Sequence, residues 1–273
     1  MTDGELEAVF DRQGRLVLPE AVAGEYGFTP GTRIRIRPSP SGLLLRPPVS
    51  RLAKVYLEPT NACNLECRTC IRHSWNEPIG RMTDETFARV VRGLRPFSPP
   101  PGVFFGGMGE PLAHPGIVDM VRQAKSLGSR VELITNGTLL DNRVAEQLID
   151  AGLDLLWVSL DGATPEGYAD VRLGAALPGI LSNLRAFRRI RWRKHRPVGV
   201  DLTLQPQLGI VLVAMKRNLS DLPAVFGLAS RLGALHFMVT NVVPYTKEMQ
   251  KEILYTRALD DTIYASSPLL RVL

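Results

Sequence analysis

Three cysteines, Cys63, Cys67 and Cys70, fall within one eight-residue stretch, and the chain has no others. Cysteine thiolates hold iron–sulfur clusters, and three of them on a four-iron cluster leave one iron open to bind something else. A disulfide framework needs an even count and pairs able to face one another. A structural zinc site would want a fourth Cys or His at finger spacing, and His73, the one near candidate, fits that pattern poorly. Three inert thiols in one short loop would be a coincidence. The loop therefore predicts an open-site iron–sulfur cluster, with zinc as the alternative.

Further chemistry lies downstream. Gly106-Gly107-Met108-Gly109-Glu110-Pro111-Leu112 combines glycines, which admit close backbone approach to a ligand, with Glu110, a carboxylate suited to an ammonium group. By itself a glycine-rich turn is a weak signal. Thr135-Asn136-Gly137 offers polar groups, or simply turns the chain and caps a helix. Ser159-Leu160-Asp161-Gly162 reads alone as a turn; Tyr168-x3-Arg172 follows, and a guanidinium can grip a carboxylate with two parallel bonds.

The elements that must position these residues alternate short apolar runs with longer amphipathic ones, the pattern of a parallel sheet. Strands are expected over 54–58, 102–106, 130–135, 153–160, 209–215 and 235–240, and helices over 83–94, 116–126, 141–151, 179–193 and 222–232. This predicts an α/β fold, a partial (β/α)6 barrel of TIM type. Such barrels present ligand groups at the C-terminal strand ends, where the motifs fall. Residues 215–218 and 240–245 end the last two strands and are expected along the adenine or substrate side. Leu181, Leu184, Phe187 and Ile190 form the expected buried stripe of the fourth helix. Its basic run, 185–196, holds six arginines, Lys194 and His195: a solvated face, with RNA binding as the alternative. His114 and His236 are expected to be structural, and 197–206 reads as an insertion.

Residues 5–47 read as a separate, small β-rich module. A hairpin turns at Arg12-Gln13-Gly14, Pro19 opens a short helix ended by Gly27, and Pro30-Gly31 leads into Arg33-Ile34-Arg35-Ile36-Arg37. A turn at 39–42 then returns through Leu43–Leu45. Domain boundaries follow at 1–48 and 49–273, across the linker Pro47-Pro48-Val49-Ser50. About forty residues bury too little surface to stand alone, so pairing with a second copy or docking is expected. The whole chain has 273 residues, 45% hydrophobic and 22% charged, with a net charge of +6, which is weak evidence for an acidic partner. It shows neither a membrane-length apolar run nor a signal-peptide pattern, so a cytoplasmic location is expected.

Cys-x3-Cys-x2-Cys directly after Val55-Tyr56-Leu57-Glu58-Pro59-Thr60-Asn61 resembles the radical S-adenosylmethionine (SAM) superfamily. The resemblance implies a [4Fe–4S] cluster on Cys63, Cys67 and Cys70. Its open iron chelates SAM, and an electron cleaves SAM to methionine and a 5′-deoxyadenosyl radical that abstracts hydrogen. Gly107, Met108, Gly109 and Glu110 then match the Gly-Gly-Glu motif for the methionine amino group, with Gly-Met-Gly-Glu as a variant. Asn136, Ser159 and Asp161 would lie near SAM, and Arg172 would reach its carboxylate. No residue beyond these cluster and SAM contacts is assigned to catalysis.

Asp11-x2-Gly14-Arg15-Leu16-Val17-Leu18-Pro19 followed by Gly27-Phe28-Thr29-Pro30-Gly31 resembles the SpoVT/AbrB-like swapped-hairpin domain, whose members interleave as dimers and often bind DNA. The two together resemble radical SAM maturases associated with tungsten-dependent aldehyde oxidoreductases. That implies a partner oxidoreductase or its cofactor as the target and ferredoxin or flavodoxin as electron donor. Peptide, protein or RNA modification is a second enzymatic possibility; a DNA-binding regulator with a cluster-based sensor is a third, not favoured. Relatives often carry further clusters C-terminally; no cysteine follows Cys70, so a truncated chain is expected.

Overall fold

The computed structural model describes residues 7–25, 28, 31–40, 42–46, 52–74, 76–194 and 204–254. Gly27, Pro30, the linker at 47–50, most of the expected insertion (195–203) and the tail from 255 lie outside the described residues. Two compact units divide between residues 52 and 53.

In the first unit, β1 (Val9–Phe10) and β2 (Leu16–Val17) pair antiparallel. Asp11 builds the turn: its Oδ1 accepts from the backbone of Gln13 at 2.9 Å and Arg15 at 2.8 Å, while Oδ2 pairs with the Arg15 guanidinium at 2.7 Å. Those backbone donors hold the exposed Asp11 carboxyl below its ordinary range. Helix α1 (Glu20–Glu25) is followed by the antiparallel pair β3 (Arg35–Ser39) and β4 (Gly42–Arg46), closed where Ser39 faces Gly42. Arg33 precedes the strand, so only Arg35 and Arg37 share its face, period two placing them on one side. Phe10, Val9, Ile36 and Leu43 are each more than half exposed, and α1 buries nothing. Among the described residues this unit forms two hairpins and a short helix, and none of their side chains is buried.

The second unit is one sheet of six parallel strands: β5 (Lys54–Leu57), β6 (Gly102–Phe105), β7 (Val131–Thr135), β8 (Leu155–Ser159), β9 (Gln207–Ala214) and β10 (His236–Asn241). Spatial order follows chain order from β5 to β10, so every crossover steps one strand in the same direction. That progression curls a parallel sheet into a partial barrel instead of doubling back as a two-faced sheet would. The crossover helices are α2 (Asp84–Leu94), α3 (Ile117–Lys125), α4 (Asn142–Asp150), α5 (Pro165–Val171), α6 (Leu177–Lys194) and α7 (Leu222–Leu232); α8 (Lys247–Glu252) follows β10. Thr83, Asp141, Thr164 and Thr246 cap α2, α4, α5 and α8 by accepting a backbone N–H with the side chain, and Gly233, left-handed at φ 75°, ends α7. Among the described residues no helix is long and apolar enough to cross a membrane.

All six expected strands and five expected helices form. α5 and α8 went unread because seven- and six-residue helices carry too little periodicity. A polar tie sits among the strands: Glu132 accepts from Lys54 Nζ at 2.9 Å and Trp157 Nε1 at 3.1 Å. Burial alone would raise Glu132; those donors and the charges of Lys54 and Arg130 hold it lower instead. Along α6 the buried stripe is Leu177, Ile180, Leu184, Phe187 and Ile190, while Leu181, expected inside, is half-buried. At 3.6 residues per turn Ile180 falls on the same side of Leu184 as Phe187, whereas Leu181 falls on the opposite edge of the stripe. Phe187→Ala should cost about 3–5 kcal/mol, as for other buried aromatics, and Leu181→Ala well under half of that. Denaturant unfolding of the two variants checks the order.

Candidate active site

At the C-terminal end of β5 the chain enters the cysteine loop, braced from outside. Thr60 Oγ1 donates to Gly80 O at 2.7 Å, and Asn61 spans to Pro78 O and Gly80 N at 2.9 and 2.6 Å. From the other side, Glu66 N and Arg68 N donate to Leu173 O and Val171 O at 3.1 and 3.0 Å. Arg68 and Arg217 together engage Asp170, Glu248 and Glu252 in a network of ion pairs, joining the loop to α5 and α8. Cys67 is buried; Cys63 and Cys70 are half-buried. His73 Nε2 lies 2.9 Å from Cys67 O, so that nitrogen carries the proton and serves the backbone.

The loop after β6 packs directly onto this one. Glu110 N donates to Ala62 O at 2.8 Å, and a Cβ on Gly109 would stand 2.0 Å from Thr60 O. Only glycine permits that approach. Gly107 has φ 153°, and its own Cβ would strike the Glu58 carboxylate, which accepts from Met108 N and from Gly109 N at 3.1 Å. Glu110 is buried. Its Oε1 accepts from Leu112 N at 2.9 Å and Thr135 Oγ1 at 2.7 Å, and its Oε2 from Asn136 N at 2.7 Å. Burial raises the Glu110 carboxyl despite these donors.

Around a cavity of about 200 Å³ stand all three cysteines together with Gly107, Met108, Gly109, Glu110, Asn136, Ser159 and Arg172. Asn136 Nδ2 approaches Cys63 Sγ at 3.9 Å, and Arg172 Nη1 approaches Cys67 Sγ at 3.7 Å. Asp161 is absent from the wall: fully buried, it pairs with Arg172 Nε at 2.6 Å and accepts from Val213 N at 2.7 Å. Burial raises the Cys67 thiol, with Arg172 pulling the other way. Burial likewise opposes the Arg172 charge, yet Asp161 carries the guanidinium above its ordinary value.

Sequence reasoning missed Glu58 and Asn64, whose Oδ1 accepts from Asn136 Nδ2 at 3.0 Å. Only Glu58 left a signal, a carboxylate at the end of a barrel strand. Of residues 215–218, expected along the adenine or substrate side, Met215 is buried with Val171, Val242 and Met249, and Arg217 joins the ion-pair network. Asn218 is also buried, donating to Asp161 O at 3.0 Å. His114 is structural, bridging Met82 O at 2.9 Å and Gly116 N at 3.1 Å.

The donor set fits an open-site cluster. Three thiols share one cavity, and neutral and cationic N–H groups face two of the sulfurs. Among the described residues no three His, Cys, Asp or Glu side chains converge where a single metal ion could sit, whereas a cluster takes one thiolate per iron.

Residues 57–206 match the family model of the radical SAM superfamily. The chain belongs to that superfamily. That superfamily uses a [4Fe–4S] cluster and SAM, and the three thiols around one cavity fit them. The chain is 33% identical over 208 residues to the tungsten-containing aldehyde ferredoxin oxidoreductase cofactor-modifying protein of Pyrococcus furiosus, covering 76% of this chain and 56% of that one. To the AdoMet-dependent heme synthase of Methanosarcina barkeri it is 31% identical over 188 residues, covering 68% and 50%. The chain thus spans about half the length of these relatives. Among solved structures, Streptococcus suis SuiB bound to precursor peptide SuiA superposes with a TM-score of 0.62 at 16% identity, over 79% of this chain and 45% of that one. anSMEcpe with bound AdoMet gives 0.54 at 20% identity, over 70% and 53%. At these identities the likeness is one of fold, and it supports the partial barrel.

The contact at Gly109 generates a paired test. Gly109→Ala must displace the loop from Thr60 and should abolish cluster incorporation. Gly93→Ala, in α2 with open space at its Cβ, should leave incorporation intact and add roughly 0.4–1 kcal/mol of stability. Iron content after anaerobic reconstitution and thermal unfolding report the two effects.

Proposed function

We propose that this radical SAM enzyme is a maturase acting on a partner oxidoreductase, of the tungsten-dependent kind, or on that enzyme's cofactor. The observation that carries the site assignment is the single cavity at the strand ends, which brings together the three thiols, the 107–110 loop and Arg172. When bound, the cluster supplies the electron that cleaves SAM to methionine and a 5′-deoxyadenosyl radical.

The chain's own residues bind and orient. Cys63, Cys67 and Cys70 hold three irons. Glu110 Oε2, which serves a single protein donor, has capacity left for the SAM ammonium. Arg172 offers guanidinium N–H groups to the SAM carboxylate, and Asp161 keeps it aimed from behind the wall. Ser159 and Asn136 complete the wall toward the ribose and the cluster loop, and the buried surround limits water at the reacting bond.

The Pyrococcus furiosus relative, with its cofactor-modifying name and its coverage of 76% of this chain, supports the maturase reading. Ferredoxin or flavodoxin is the proposed electron donor. The expected AbrB-like domain, residues 1–48 within the first unit, is proposed to pair with a second copy through its exposed apolar strands; DNA binding is not favoured.

Reconstituted under anaerobic conditions and reduced with dithionite, the protein should convert SAM to 5′-deoxyadenosine, and Cys63→Ala should not. Cluster assembly without deoxyadenosine, together with tight binding of a defined DNA duplex, would favour the regulator instead. A second expectation follows from Glu110. Because burial holds its carboxyl high, the ionised form that can take an ammonium is gained only as pH rises through that raised value. SAM affinity should therefore strengthen as pH rises through that value, and Glu110→Gln should bind more weakly with a flat profile. Anaerobic calorimetry at several pH values reads both.

A further inference from the structure

Helices α6 and α7 enclose a cleft of about 710 Å³ on the outside of the barrel, floored by Leu181, Leu228 and Leu232. The lining runs along most of α6 and the end of α7, and it shares no residue with the cysteine cavity. Arg185, Arg188, Arg189 and Arg231 surround it, and Trp192, 58% exposed, stands on its edge.

The charges on α6 divide sharply. On the side facing α4, Arg193 pairs with Glu146, and Lys194 with Asp150 at 2.5 Å. On the side facing α7, Arg188 donates to the carbonyl of Arg231 at 2.8 Å, and none of Arg185, Arg189 and Arg231 has an acidic partner among the described residues. Four guanidinium groups thus share one cleft. Placing uncompensated arginines around an apolar floor, beside an exposed indole, opposes stability and suits recognition. Trp and Arg are the residue types that dominate binding hot spots.

We infer that this cleft docks an acidic segment of a partner protein, with an apolar side chain seated on the leucines and carboxylates gripped by the arginines. A nucleic acid fits less well. Its phosphates need a continuing track of cations, and here the acids of α4, Glu146 and Asp150, bound the basic stripe on one side. Docking and chemistry thus use different residues of one domain. The inference is independent of the maturase assignment.

Fluorescence anisotropy of the full chain with a fluorescein-labelled peptide alternating Glu and Leu tests it. The peptide should bind, and binding should weaken as salt is raised. The double variant Arg185→Glu/Arg189→Glu should bind on the order of tenfold or more weakly. Because it keeps two like charges at an i, i+4 spacing on α6, its helix should be little disturbed. Trp192→Ala should weaken the peptide while leaving the salt dependence unchanged. Production of 5′-deoxyadenosine should be the same in all three proteins, which separates this outcome from failure of the radical chemistry. Absence of peptide binding, equal binding by the double variant, or tighter binding of an oligouridylate than of the peptide would each overturn the inference.

Discussion

A buried ion pair organises the mouth of this half-barrel. Asp161 is wholly enclosed at the end of β8, and Arg172, eleven residues later, lies along it at 2.6 Å while its other arm approaches Cys67. Two charges withdrawn from water gain nothing in stability unless their remaining bonds are met, and removing one partner alone is strongly unfavourable. Here the rest are met: Val213 N donates to Asp161, and Asn218 secures the Asp161 backbone. The pair thereby fixes β8, β9 and the cysteine loop in one arrangement and leaves a guanidinium edge at the cavity.

The second constraint is steric. The 107–110 loop lies so close on the cysteine loop that Thr60 O occupies the space of any Gly109 side chain. Glu58 grips the loop's amides from below, and Glu110 spans to Thr135 and Asn136 on the next strand. Three successive strand ends are thus linked by carboxylate-to-backbone bonds, which are directional and cannot slide as apolar contacts can. On the outer rim, Arg68 and Arg217 clamp the loop to α5 and α8 through shared acids. A cofactor site built this way is held by the domain from three sides, as precise placement of a reacting group requires.

How much was legible beforehand follows from the range of the interactions concerned. Strand runs such as Leu155–Ser159 and helices such as Asp84–Leu94 are local patterns with strong amphipathic or apolar signals. Short helices like Lys247–Glu252 depend on one cap and one buried methionine, and were silent. In α6 the periodicity was visible but Leu181 lay at the edge of the stripe, and which edge is covered depends on packing against distant elements.

The three thiols of one short loop, the glycine–glutamate turn and the βα alternation were properties of the chain itself. They carried the expectation of a parallel half-barrel and a cluster-binding loop, and the resemblance to the radical SAM superfamily, before any coordinates. Tertiary structure alone decided that Asp161 stands behind Arg172 and off the cavity wall, and that Glu58 serves the glycine loop. It also decided that residues 215–218 turn into packing and ion pairs, and that, among the described residues, one flank of α6 meets carboxylates while the other does not. Each of these depends on contacts across tens of residues, whose direction no local spacing encodes.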